Sequence, residues 1–90
     1  TANTSHWESV IVMTLATLAE AVFVSSLQPP ERPTTDQVAA AIGESLRSHG
    51  AVSGCAGDSA AEYGEHPEES APRMHWAPSL AASIARAVAA

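Results

Sequence analysis

The stretch that decides the fold is residues 10–24, which read VIVMTLATLAEAVFV and are almost wholly apolar. Just before it, Ser5 and Glu8 have the Ser-x-x-Glu spacing of a capping box, in which each side chain satisfies a backbone amide at a helix start. Two consecutive prolines follow Gln28, and a helix ends at or before the residue that precedes a proline. The sequence therefore predicts a first helix over residues 5–28.

Two apolar stripes run along this predicted helix at the period of about 3.6 residues per turn. The first stripe consists of Trp7, Ile11, Leu15, Leu18 and Val22, and the second of Val12, Ala16, Ala19, Phe23 and Leu27. One layer of neighbouring helices covers only part of so wide an apolar surface, so we predict that this helix lies at the centre of the core and in a homo-oligomer interface. The alternative is a β-hairpin formed by residues 10–12 and 22–24, but no turn residue separates these two clusters.

A second helix is predicted after a proline-rich linker at residues 28–34. Thr34 and Gln37 have capping-box spacing, and Gly50 suits the left-handed position that ends a helix. Glu44 is expected on the solvent-exposed face. The inward stripe is predicted to be Val38, Ala41, Ile42 and Leu46, with His49 as a candidate fifth member.

A third, short helix is predicted over residues 53–63, with Ser53 as its N-cap and Gly64 as its stop. Gly54 and Gly57 weaken it, since each glycine costs roughly 0.8 to 1 kcal/mol relative to alanine in a helix interior. The residues expected to face inward are Cys55, Ala56, Ser59 and Tyr63.

A fourth helix is predicted to begin at Pro67, because proline suits the first helical position and the two glutamates behind it complement the positive end of the helix dipole. Pro72 and Pro78 are expected to interrupt or restart this helix, which would leave Met74 and Trp76 in a kinked or irregular stretch. The apolar stripe then continues with Leu80, Ile84 and Val88.

Together these elements predict one all-α domain over residues 1–90, a small bundle of about four helices with frayed ends at residues 1–5 and 88–90. Apolar types make up 46% of the chain but only 4% is aromatic, so the core is built from small side chains. A small scaffold of this kind often gains apolar contacts from a second copy, and we expect self-association, most simply as a homodimer. The candidate interface residues are Trp7, Ile11, Leu15, Leu18, Val22, Phe23, Met74 and Trp76.

Charge and cysteine content restrict the partners and the compartment. The formal net charge is −6 with no lysine, which disfavours binding to nucleic acid and to anionic membranes. The single Cys55 forms no intrachain disulfide, as expected of a cytoplasmic protein.

The apolar run at residues 10–24 contains Glu20, is too short to span a membrane and lacks the cationic leader of a signal peptide. Met13 is a candidate initiator, which would make residues 1–12 an extension.

The densest polar cluster is residues 62–69, which contains carboxylates and an imidazole of the kind that bind zinc, manganese or iron. Gly64 and Pro67 break the helical spacing that would bring these groups together, so we predict a structural helix start with no metal and no cofactor. If a metal did bind, its candidate ligands would be Glu62, Glu65, His66 and Glu69. Cys55 is predicted to be buried and inert towards thiol reagents, and no catalytic residue is identified.

Residues 54–56, 61–68 and 73–77 together resemble the signature of small, uncharacterised, alanine-rich helical proteins of high-GC actinobacteria. The resemblance implies no activity, cofactor or partner.

The composition and the helices predict a non-enzymatic acidic interaction module that self-associates or docks on a protein partner through its apolar first helix. One alternative is a DNA-associated regulator of helix-turn-helix type, since the last three helices are joined by short turns. The charge opposes it, because Glu68 and Glu69 would face the phosphates with only Arg73 and His75 as nearby cations. A second alternative is a metal- or ligand-binding helical protein.

Overall fold

The computed structural model describes residues 14–29 and 31–89, and this part of the chain contains four helices and no strand. The predicted all-α class is therefore confirmed. The helices are α1 (Leu15–Phe23), α2 (Thr35–His49), α3 (Ala51–Glu65) and α4 (Pro67–Ala89).

Helix α1 begins later than the sequence predicts. Thr14 has an extended backbone (φ −73°, ψ 163°), and its Oγ1 accepts a hydrogen bond from the Thr17 amide at 3.3 Å. This is the geometry of an N-cap, so the helix starts at Leu15. The predicted capping box at Ser5 and Glu8 lies outside the described residues, but one continuous helix over residues 5–28 is wrong.

Helix α1 also ends five residues before Gln28, at Phe23. The Ser25 hydroxyl donates to the Val22 carbonyl at 2.6 Å and accepts from the Leu27 amide at 3.2 Å. Such local side-chain hydrogen bonds offer the backbone an alternative to the helical ladder. The chain therefore turns at Val24, well before the two prolines.

Helix α2 has the ends that the sequence predicts. The Thr34 Oγ1 accepts from the Gln37 amide at 3.1 Å, and the Gln37 Oε1 accepts from the Thr34 amide at 2.8 Å, which completes the capping box. Gly50 closes the helix in the left-handed conformation (φ 81°, ψ 50°). Of the predicted inward stripe, Val38 and Ile42 are buried.

Helix α3 begins and ends differently from the prediction. It starts at Ala51, which shares the left-handed region with Gly50 (φ 68°), and no side-chain cap from Ser53 is present. It continues through Gly64 and ends at Glu65, with His66 as its C-cap, because the residue before Pro67 is driven out of helical geometry. The expected N-cap and stop are therefore both wrong.

Helix α4 is continuous over 23 residues and contains both Pro72 and Pro78, so the predicted interruption around Met74 and Trp76 is wrong. Each proline removes one backbone donor, but the helix is held on both sides of Pro78 by packing. The α4 residues buried on its inward face are Ser70, Ala77, Ala81 and Ile84.

Helix α1 lies at the centre of the described fold and contacts the other three helices, as the sequence predicts. It is the main contributor to the core, and α3 contributes only Cys55 to the apolar part. Tyr63, which was expected to face inward, is 40% exposed. The buried apolar residues are Leu18, Ala19, Ala21, Val22, Phe23, Val38, Ala39, Ile42, Cys55, Ala77, Ala81 and Ile84.

Candidate functional site

All four helices contribute to an open pocket of about 350 Å³ beside the carboxyl end of α1, which we call the Arg73 cleft. The end of α1 supplies an aromatic residue, the end of α2 an imidazole, and α3 and α4 supply the charged groups. The main lining residues are Phe23, His49, Asp58, Glu62, Glu69 and Arg73.

Arg73 links α4 to the end of α1 through three hydrogen bonds. Its Nε donates to the Phe23 carbonyl at 2.6 Å, and its Nη2 donates to the carbonyls of Ser25 at 2.9 Å and Val22 at 3.4 Å. The last carbonyls of a helix lack intrahelical partners and carry its negative dipole end, which a cation satisfies. Arg73 therefore caps α1 from a position 50 residues further along the chain.

Two aromatic rings flank the Arg73 guanidinium. Its central carbon lies 4.8 Å from the Trp76 ring centroid and 5.9 Å from the Phe23 ring centroid, both within the range of cation–π attraction. The Phe23 ring also stacks against that of Tyr63, at a centroid distance of 6.4 Å. Burial lowers the pKa of Arg73, but an arginine side chain stays protonated at neutral pH.

The other polar side chains of the cleft include carboxylates and one imidazole. The His49 Nδ1 lies 2.6 Å from an Asp58 carboxylate oxygen, and this hydrogen bond ties the end of α2 to α3. The exposed carboxylates of Glu62 and Glu69 form no ion pair with any described residue. The cleft offers hydrogen-bond donors and acceptors. This arrangement suits the binding of a polar group.

A second open pocket of about 380 Å³ adjoins the Arg73 cleft and shares Val24, Ser25 and His49 with it. Its α2 wall includes Ser45, whose buried hydroxyl has no hydrogen-bond partner among the described residues. On the same wall, hydrogen bonds from Arg47 and Ser48 hold the pKa of Glu44 below its ordinary value.

The structure does not bring the four candidate metal ligands together. Glu62 and Glu69 line the Arg73 cleft, whereas Glu65 and His66 are not in its wall. Across residues 14–29 and 31–89, no three His, Cys, Asp or Glu side chains are placed to hold a metal ion.

The predicted interface residues fall into three groups. Leu18, Val22 and Phe23 are buried in the chain's own core, so they offer no free surface in this fold. Leu15 is 49% exposed, and the partly buried Met74 and Trp76 pack against the core. The remaining two, Trp7 and Ile11, lie outside the described residues.

Cys55 is buried, as the sequence predicts, with 1% of its surface exposed. Its Sγ lies 3.6 Å from the Ser45 carbonyl and donates to it. Burial, with smaller contributions from Asp58 and Glu20, raises the pKa of the Cys55 thiol. The thiolate needed for nucleophilic chemistry is therefore disfavoured at neutral pH.

Sequence reasoning missed the role of Arg73, which it considered only as a cation facing DNA. One signal was present: Arg73 lies four residues before Ala77 and eight before Ala81, on the buried face of α4. A charged residue on a buried helix face needs a partner. Its partners are backbone carbonyls of α1, which no sequence pattern identifies.

The connections between the last three helices differ from those of a helix-turn-helix motif. Gly50 alone joins α2 to α3, and His66 alone joins α3 to α4, whereas that motif has a turn of about three or four residues.

The helices of the described ranges are all too short or too polar to cross a membrane.

Comparison with known proteins finds no matching family model, no matching curated protein and no matching solved structure. The resemblance to actinobacterial helical proteins therefore stays a prediction.

Proposed function

We propose that this domain is a non-enzymatic interaction module that self-associates through the amino-terminal end of α1. The observation that carries the proposal is a change in burial along one apolar stripe. Leu18 and Val22 are 2% and 0% exposed, whereas Leu15, one turn earlier on the same stripe, is 49% exposed. About half of the Leu15 side chain thus lies outside the core of the described residues, and a second copy would bury it.

The rest of the described chain fits a binding role better than a catalytic one. Its only cysteine, Cys55, is buried with a raised pKa, and a buried thiol without a disulfide partner suits a reducing compartment such as the cytoplasm. The net charge of −6 favours a protein partner over nucleic acid. A second copy is the partner we favour, because a small core of short side chains gains most from shared apolar contacts.

Sedimentation velocity on the full chain tests the proposal. We expect the unmodified protein to sediment as a dimer at micromolar concentrations. Leu15→Glu should sediment as a monomer with unchanged helicity by circular dichroism, because that side chain makes little contact with its own core. Val52→Glu is the matched control, since Val52 is an exposed apolar residue (38%) on α3. Self-association through α1 is overturned if the unmodified chain sediments as a monomer, or if Leu15→Glu and Val52→Glu shift the monomer–dimer equilibrium equally. Docking on a different protein would then be the function.

A further inference from the structure

The Arg73 cleft carries an inference beyond self-association. Its volume of about 350 Å³ is near the lower limit of about 300 Å³ for small-molecule pockets. It therefore suits a ligand of a few heavy atoms, and its charges decide the kind of ligand.

Arg73 lines the cleft, and only part of the donor capacity of its guanidinium is used within the described fold. A guanidinium has five N–H donors, and the Nε and Nη2 groups are directed to carbonyls of α1. The Nη1 group forms no hydrogen bond to a described residue. No carboxylate oxygen of the described chain lies within ion-pair distance of Arg73 either.

The same cleft also presents two carboxylates that lack a partner cation within the described ranges, those of Glu62 and Glu69. An isolated anion at Arg73 would be repelled by these carboxylates, and an isolated cation beside them would be repelled by Arg73. A ligand with both charges satisfies both sets of groups.

We propose that the Arg73 cleft binds a small zwitterion of the α-amino acid class. The ligand carboxylate accepts from Arg73 Nη1, and the ligand ammonium group donates to Glu62 and Glu69. The partly buried Val24 in the same wall supplies an apolar contact for a side chain. The site is separate from Leu15, so it does not depend on self-association.

Titration of the full chain with L-leucine, followed by ¹⁵N NMR at the Arg73 Nε–H and the Trp76 indole, tests this proposal. Two analogues separate the charges: N-acetyl-leucine retains only the carboxylate, and leucine amide retains only the ammonium. We expect saturable shifts with leucine and at least about tenfold weaker binding of each analogue, because leucine amide loses the charge-assisted hydrogen bond to Arg73 and N-acetyl-leucine loses those to Glu62 and Glu69.

A pair of neighbouring variants locates the ammonium contact. Glu69→Gln should weaken leucine binding by about two- to fivefold, as expected for an exposed ion pair. Glu68→Gln is the control, because Glu68 is exposed on the same helical turn but does not line the cleft. The proposal is overturned if leucine gives no saturable shift, if either analogue binds as tightly as leucine, or if both variants have the same effect. Repeating the titration on Leu15→Glu keeps its outcome independent of the oligomeric state.

Discussion

At the scale of single residues, Arg73 forms the side-chain hydrogen bonds that connect the most distant parts of the described chain. It satisfies the carbonyls of Val22, Phe23 and Ser25 and lies between two aromatic rings. A nine-residue helix is marginal without tertiary contacts. The cap on α1 is therefore supplied by α4, and the two helices stabilise each other.

Arg73→Met tests this role, because methionine retains much of the apolar stem and removes all the donors. We expect the free energy of unfolding to fall by about 2 to 4 kcal/mol, since three partly buried carbonyls lose a charged donor at once. Urea denaturation at neutral pH measures the change. Arg32→Met is the control, and because Arg32 is exposed its effect should stay within about 0.5 kcal/mol.

If Arg73→Met and Arg32→Met lower the free energy of unfolding by similar amounts, Arg73 is an ordinary surface cation and its role as a cap on α1 is wrong. If Arg73→Met is too unstable to study, Arg73→Lys should also lower the free energy of unfolding, but by less. The lysine ammonium keeps the charge but lacks the planar guanidinium that donates to three carbonyls.

At the scale of helices, the α2–α3 corner is the most constrained connection. A Cβ atom added at Gly54 would overlap the His49 carbonyl oxygen, so the two helices approach more closely there than any side chain at position 54 permits. Gly50 and Ala51 turn the chain there with two successive positive φ angles. The corner therefore requires glycine at position 54 for space, and the left-handed backbone at position 50 favours glycine there.

Two alanine substitutions three residues apart should have opposite effects. Gly54→Ala should lower the free energy of unfolding by more than about 2 kcal/mol, because a backbone atom must move. Gly57→Ala meets nothing within 4 Å and should raise the melting temperature by about 4 to 8 °C, which corresponds to a gain of about 1 kcal/mol. Thermal unfolding followed by circular dichroism measures the stability of both variants. A Gly54→Ala variant that is more stable than the unmodified chain would show that a side chain fits beside the His49 carbonyl.

The sequence predicts those features of the helices that depend on neighbouring residues. The capping box of Thr34 and Gln37 and the left-handed Gly50 are local, and all three are where the pattern placed them. The continuity of α4 through Pro72 and Pro78 could not be predicted, because packing on α1 overrides the local preference of proline. The early end of α1 depends partly on Arg73, far away in sequence. The cleft was unpredictable for the same reason, since its walls come from four helices.

At the scale of the whole molecule, the described core is built largely from alanines and β-branched residues around α1. Small side chains let the helices approach closely, but each buries little apolar surface. Leu15 remains half exposed at one end of the central helix. Burial of Leu15 against a second copy would extend the same core across an interface, which is why self-association is the central claim of the proposed function.

Hydrogen–deuterium exchange as a function of protein concentration tests that claim most directly. If copies meet at the amino-terminal end of α1, amides near Leu15 should become more protected as the concentration rises from the nanomolar range, where the dimer dissociates, to the micromolar range, where it forms. Amides near Val52 on α3 should exchange at a constant rate over the same series. Exchange near Leu15 that does not change with concentration would contradict self-association through α1.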